Sequence, residues 1–486
     1  MALQLLLLLL LLSCSLVTAE KYKPEWDSLD SRPLPGWYDD VKFGIFCHWG
    51  VYSVPAFKSE WFWWYWQGDK PSVDVLQYVE QNYPPKTTYA DFAHDFKAEL
   101  FDASQFRDVV EASGAKYFVI TSKHHEGFTL WKSKTSWNWN AVDVGPKRDI
   151  LGELKAAFTN SSVHFGTYFS LLDWFHPLYI SNKTQYVQEV MYPQLLELVT
   201  KYTPEVIWSD GDWGTSDEEW RSKEFLAWLY NQSPVRDVVA VNDRWGTDIM
   251  GKHGGFMTYS DHYDPGFLLK RKWENCMTLD KKSWGNRRGM TSQDVYDAHE
   301  LIEQLARTVS CGGNYLLNIG PDNHGHIPAI FEARLRELGD FLRPNAVALY
   351  GTGPAPVQND TSDTWYTKRK SANGTSTLYA WILNTTADFV VLKMIRPQNH
   401  TRVTVLATGD NVIWQPVSLA GEVAGGLRIE LKSIPWRKLP RTDVVVLAIT
   451  EPTMVTGKES RAWQKYFMKW LRHHQKPRGI GEASQR

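Results

Sequence analysis

The 486-residue sequence predicts an α/β fold, a (β/α) TIM-like barrel, followed by a C-terminal all-β sandwich domain. Three observations carry this reading. Strand-like and helix-like segments alternate through the first two-thirds of the chain. The strand-like segments are near-continuous apolar runs, as expected for parallel strands covered on both faces. After about residue 346 the helices stop, and short β-branched segments follow between turn residues.

Taken in order, the strand candidates are KFGIFCHWG (42–50), KYFVITSKHHEGF (116–128), HFGTYFS (164–170), EVIWSDGDW (205–213), VVAVNDRWG (238–246) and NYLLNIGP (314–321). Helical spacing of apolar residues marks 186–202 and 298–309 between them. A third helix, PAIFEARLRELGDFL (328–342), carries Ile330, Phe331, Leu335, Leu338, Phe341 and Leu342 on one side, and Pro344 is expected to stop it. TLYAWIL, DFVVLKMI, RVTVLA, LRIEL and DVVVLAI then read as the sandwich strands.

The termini differ from the body. Leu5–Leu12 is too short an apolar run to span a bilayer, and Val17 and Ala19 suit cleavage after Ala19, so 1–19 reads as a signal peptide and no transmembrane segment is expected. Near the other end, Trp463, Tyr466, Phe467, Trp470 and Leu471 fall on one helical face among basic residues, which fits a membrane-surface or partner helix, or one docked on its own sandwich. The expected organisation is a signal peptide (1–19), a barrel (20–345), a sandwich (346–452) and a basic amphipathic tail (453–486).

Composition narrows the function. A formal net charge of −2 supplies no basic field for nucleic acid. The chain holds 24 Trp, whose flat apolar faces with one polar handle suit sugars as well as a large core. Secretory routing makes the sequons at Asn160, Asn182, Asn231, Asn359, Asn373, Asn384 and Asn399 candidate glycosylation sites. Removing the leader leaves Cys47, Cys276 and Cys311, an odd number, so at least one thiol is free or intermolecular and the fold is not a disulfide scaffold.

Most strand candidates end in chemistry-bearing residues: His48-Trp49, His124-His125-Glu126, Tyr168, Asp210 with Asp212, and Asn242-Asp243-Arg244. Barrel enzymes catalyse at the C-terminal ends of their strands. An apolar strand running into Asp210 suggests a site, because burying a carboxylate costs several kcal/mol unless it is paired or used. Asp210 and Asp212 would share a face in an extended chain, so spacing does not separate them. Capping of the next helix is the simpler reading for Asp212.

FGIFCHWGVYSVPAF, SEWFWWYW, TSKHHEGFTLWKSKTSWNWN, IWSDGDW, NDRWG and GGNYLLNIGP together resemble the α-L-fucosidases, the retaining glycoside hydrolase family with animal lysosomal and secreted members, over roughly residues 20–450. The resemblance implies an exo-glycosidase that removes terminal α-L-fucose from glycoproteins, glycolipids and oligosaccharides through a covalent fucosyl-aspartate. It implies no cofactor, fucosylated glycoconjugates as partners, a homo-oligomer, and a lysosomal or extracellular destination. Asp210 matches the family nucleophile in W-S-D-G. His48, Glu60, Trp61, His124, His125 and Tyr168 match sugar-binding positions, with Trp208 and Arg244 counted beside them. The acid/base is left open between Glu274 in KWENC, which Trp273 would desolvate, and Asp261 in YSDHYD. No third ligand with suitable spacing accompanies His124 and His125, so no metal is expected. Two rivals remain: a catalytically inactive fucose-binding protein on the same fold, and a retaining glycosidase for another sugar.

Overall fold

The computed structural model describes residues 21–370, 374, 376–418, 426–450 and 452–454, with isolated positions 462, 465 and 469. The proposed leader, Asn373 and the aromatic face of the tail lie outside the described residues.

Seven parallel strands form one curled sheet: β1 (Phe43–Cys47), β2 (Tyr117–Lys123), β3 (His164–Ser170), β4 (Val206–Asp210), β5 (Ala240–Val241), β6 (Trp273–Thr278) and β7 (Gly313–Ile319). Their spatial order is β5-β4-β3-β2-β1-β7-β6. An eighth stave fills the gap between the outer strands. Phe256 donates its N–H to Val241 (3.0 Å), Met257 to Lys272 (2.9 Å), and Glu274 to Met257 (2.9 Å), so the 256–258 segment bridges β5 to β6. The expected barrel is therefore present, closed by a stave of three residues.

Helices lie between the strands in sequence, and short acidic caps start several of them. Asp102 accepts from the Ser104 and Gln105 N–H groups ahead of Ala103–Ala112. Asp149 accepts from Gly152 ahead of Ile150–Phe158, and Asp297 forms a capping box with Glu300 ahead of Ala298–Ser310. The expected 186–202 helix is interrupted by a π-turn at Val187–Met191, just before Pro193, which has no N–H for the carbonyl four residues back. The helix expected to stop at Pro344 runs Ala329–Asn345, with Pro344 in its final turn.

One strand, β6, was not among those expected. WENCMT carries Glu274 and Asn275 within an apolar run, and both are buried. Its polarity hides a strand because its partners come from distant segments.

The C-terminal region contains a five-stranded antiparallel sheet with Arg402–Val405, Val445–Thr450, Ser376–Ile382, Thr364–Lys370 and Gly353–Thr361 in that order. A three-stranded sheet of Phe389–Leu392, Gly426–Glu430 and Trp414–Val417 shares its core, through Leu392, Leu427 and Ile429 against Leu378, Ile382 and Leu447. Trp365 and Trp381 instead join the barrel's core, with Arg307 over Trp365 (5.4 Å) and Phe341 beside Trp381 (6.1 Å). The sandwich thus seats on two barrel helices. Cys47, Cys276 and Cys311 are all free and buried. Among the described residues no helix is long and apolar enough to cross a membrane.

Two of the sequon asparagines are engaged in the fold. Asn359 lies in a strand at 4% exposure, and the Asn231 amide is committed to the Tyr22 backbone in both directions (3.0 and 2.7 Å). A glycan on either would have to displace folded structure. Asn160, Asn182, Asn384 and Asn399 are exposed.

Candidate active site

The C-terminal ends of the strands converge on Asp210. It is the last residue of β4, opposite Ser170 at the end of β3. Trp208, two residues earlier, projects to the same face and lies beneath it. Gly211 then turns the chain at φ 81, where a Cβ would meet Leu172 at 2.6 Å. That turn takes Asp212 out of the extended register in which the two acids would share a face. Asp212 also does not act as a cap: it sits inside the turn Asp212–Gly214, whose cap position is Gly211. Burial, against the pull of Arg244 and with the push of Asp210, raises its carboxyl pKa to about 7.

Three side chains face the Asp210 carboxylate. The Tyr168 hydroxyl donates to it at 2.8 Å, Arg244 at 3.2 Å, and His125 Nε2 stands 3.6 Å away. Burial, then the Asp210 charge, pushes the Tyr168 hydroxyl far up, so Tyr168 remains a donor. Arg244 bridges two acids, since its other terminal nitrogen meets Asp261 at 2.5 Å. Burial would raise Asp261, but Arg244 and then His262 outweigh it and hold the carboxyl below its usual value. Asp261 keeps 30% of its side chain exposed, on a loop where Tyr259 (φ 57) and His262 (φ 55) are both left-handed. Such strain in non-glycine residues clusters at functional sites.

Glu274 has a different setting. It is the second residue of β6, fully buried, and pairs in register with Asn314, the second residue of β7. Its carboxylate accepts from Tyr38 (2.6 Å), Tyr117 (2.7 Å) and the Trp208 indole (2.8 Å). Burial pushes its pKa up against those three donors. The Trp208 ring that it holds stacks near Tyr168 (5.9 Å between centroids) and carries the Arg244 guanidinium at 4.6 Å. Glu274 therefore lies in the barrel interior at the far end of the strands, one layer below Trp208.

His48, His124 and His125 form one buried cluster, with His124 5.9 Å from His48 and 4.2 Å from His125 between ring centroids. Burial lowers His48 to about 3 and His125 well below its usual value, with neighbouring histidines as the next cause, so both rings are neutral. Glu60 accepts from the backbone N–H groups of Trp284 and Gly285, each at 3.1 Å, through Oε2. Trp61 sets its ring edge-on to His125 (5.2 Å). The structure thus brings together all eight sequence-derived binding candidates and Asp210. It leaves Glu274 beneath them and puts Asp261 at the mouth.

The family model described as alpha-L-fucosidase matches residues 9–347. The chain belongs to the α-L-fucosidase family. A putative α-L-fucosidase of Caenorhabditis elegans is 57% identical over 452 residues, covering 88% of this chain and 92% of that protein. The plasma α-L-fucosidase of Rattus norvegicus is 49% identical over 457 residues, covering 92% and 98%. Among solved structures, the Thermotoga maritima α-fucosidase in complex with a mechanism-based inhibitor superposes with a TM-score of 0.73 at 31% identity, over 88% of this chain and all of that one.

The site also contains residues that the sequence did not single out as sugar-binding groups. Asn318 and Ser170 contact His48 and His125, Glu126 contacts His124, and Trp213, 41% exposed, stacks on Trp61 at 6.0 Å. Asn318 and Ser170 sit in largely apolar strand motifs. No residue type or spacing marked them, because their partners are far away in sequence. Among the described residues no group of three or more His, Cys, Asp or Glu is arranged to hold a metal. Prolonged EDTA treatment is expected to leave fucosidase activity intact, and loss reversed by added zinc would refute a metal-free role for the histidines.

Proposed function

We propose that this α-L-fucosidase works with retention, Asp210 attacking the anomeric carbon and Asp261 serving as acid and then base. The observation that carries this is the Arg244 bridge, which holds both carboxylates one guanidinium apart at the open end of the barrel. Retaining glycosidases need two carboxyl groups about 5–5.5 Å apart. Asp210 forms the glycosyl bond as Asp261 gives its proton to the leaving oxygen. Asp261 then takes a proton from water, which attacks the same carbon from the opposite side, and Asp210 leaves. Arg244 favours the ionised form of Asp261 in the free site, so the donor form is populated in acid. A sugar that displaces water from Asp261 raises its pKa back toward the donor form. Hydroxyls of the fucosyl ring meet His48, Glu60, Trp61, His124 and His125. Fucosylated glycoproteins, glycolipids and oligosaccharides are the proposed substrates. Release of a chromophore from an aryl α-L-fucoside, beside the β-fucoside and the α-galactoside, tests the reading. Turnover of the galactoside in preference to the fucoside would overturn it.

The domain bounds at 19, 345 and 452 remain our proposed organisation, with a homo-oligomer as its assembled form. We place the protein in the secretory pathway, bound for the lysosome or the extracellular space. The leader, the exposed sequons and the plasma enzyme of rat among its relatives support this. Glycopeptide mapping of secreted protein is expected to find glycans among Asn160, Asn182, Asn384 and Asn399. Full occupancy at Asn359 would count against its burial in that strand.

A further inference from the structure

The three histidines of the sugar site are not equivalent, because each Nδ1 meets a different partner. His48 Nδ1 lies 2.6 Å from Asn318 Oδ1. The other end of that amide donates from Nδ2 to the Trp284 carbonyl at 2.7 Å. A carbonyl accepts only, so the amide cannot be reversed without setting two oxygens against each other. Its oxygen therefore faces His48, and His48 Nδ1 must carry the proton. In a neutral ring Nε2 is then a bare acceptor.

His125 has the opposite arrangement. Its Nδ1 lies 2.7 Å from Ser170 Oγ, which accepts the Leu172 N–H at 3.1 Å. Among the described residues, the one further contact of the Ser170 hydroxyl is to the Leu172 carbonyl at 3.5 Å, the outer limit for a hydrogen bond. The Ser170 proton is thus best used toward His125 Nδ1. The far nitrogen, Nε2, is 3.6 Å from the Asp210 carboxylate, where an N–H is attracted and a lone pair repelled.

We propose that Asn318 and Ser170 are positioning residues that lock His48 and His125 into opposite tautomers, so that His48 accepts a proton from a sugar hydroxyl while His125 presents an N–H. The two are placed at strand ends, Ser170 closing β3 and Asn318 next to last in β7, and both are buried. The consequence is a specificity device. A site that offers a fixed acceptor rejects a sugar whose group at that place cannot donate, since the imidazole is left unpaired. The burial that keeps both rings neutral protects the tautomers from being erased by protonation.

This inference rests on the fucose-site reading, and the test separates the two. Nitrogen NMR of protein labelled at histidine distinguishes protonated Nδ1 from protonated Nε2 in the unliganded enzyme, with no activity involved. The expected spectrum assigns His48 as Nδ1–H and His125 as Nε2–H, each identified by the signal lost in its His→Gln variant. Asn318→Leu should convert His48 to the Nε2–H form and raise KM about 10–100-fold, the scale expected when a buried polar group is left unpaired, with a smaller change in kcat. Ser170→Ala should release His125, and Ser170→Thr, which keeps the hydroxyl, should restore it. The same tautomer on both rings of the wild-type enzyme overturns the proposal, whether or not the Leu variant folds. So does an Asn318→Leu enzyme that folds and keeps its KM. An enzyme with the expected tautomers but no action on fucosides would instead count against the fucose-site reading.

Discussion

Asp210→Asn is expected to fold as the parent does and to lose about 10³-fold or more in kcat on an aryl α-L-fucoside, roughly 4 kcal/mol of transition-state stabilisation. The fold should survive because the amide keeps the carboxylate's shape at the end of β4 and can still accept from Tyr168, 2.8 Å away. Chemistry should fail because an amide oxygen is a poor nucleophile toward the anomeric carbon. Arg244 loses one of its two acid partners but retains Asp261, so its ring-stacked position over Trp208 is not abandoned. The checks are a melting curve and initial rates on the same sample. Turnover near the parent's, in a folded variant, would remove Asp210 from the role of nucleophile.

The second large effect separates Asp261 from Glu274. Asp261→Ala should stay folded, since its side chain is partly exposed and held by one ion pair. On an aryl fucoside with an activated leaving group, the first step needs little protonation, so fucosyl-enzyme should accumulate on Asp210. Azide needs no base and should restore turnover, giving by double inversion an α-configured fucosyl azide. The alkaline limb of the pH–rate profile should flatten, because it reports the acid losing its proton. The sign follows from the site: Arg244 holds Asp261 low, so the parent's activity falls as pH rises out of the acidic range. Glu274→Ala should behave differently. It strips the acceptor from Tyr38, Tyr117 and Trp208, all buried, at about 1–3 kcal/mol for each unsatisfied donor. A melting temperature several degrees lower, reduced activity and no azide response are expected. Azide rescue of Glu274→Ala, with none for Asp261→Ala, would reverse the assignment. If neither responds, the proton donor is sought at Asp212, whose pKa of about 7 suits an acid, or at Glu126.

The alternation of apolar runs with amphipathic helices was enough to specify the barrel and the following sandwich. Both patterns are set by contiguous residues and by the periods of strand and helix. WSDGDW was readable as a strand leading into a site for the same reason: Val206, Ile207, Trp208 and Asp210 are neighbours, and the mismatch of burial and charge lies within one short stretch. Contiguity also explains what failed. β6 was missed because Glu274 breaks its apolar run, and the three groups that accommodate Glu274 come from Tyr38, Tyr117 and Trp208, up to 236 residues away. The eighth stave at 256–258 has no strand signature and is defined only by its hydrogen bonds to β5 and β6. Asp212 shared a face with Asp210 in the extended chain, and only the left-handed turn at Gly211 removed it.

What the sequence by itself determined is therefore the order of the layers, the strand ends on which polar residues gather, and the family. What only the tertiary structure decided is which polar group meets which. Our proposed choice of Asp261 over Glu274 rests on depth along the barrel, a coordinate that residue spacing does not encode. The partners of the histidines are likewise set across the sheet, with Asn318 270 positions from His48 and Ser170 45 from His125. The physical reason is that hydrogen bonds and desolvation depend on distances of a few ångströms in space. Closing the barrel makes neighbours of residues that the chain keeps far apart.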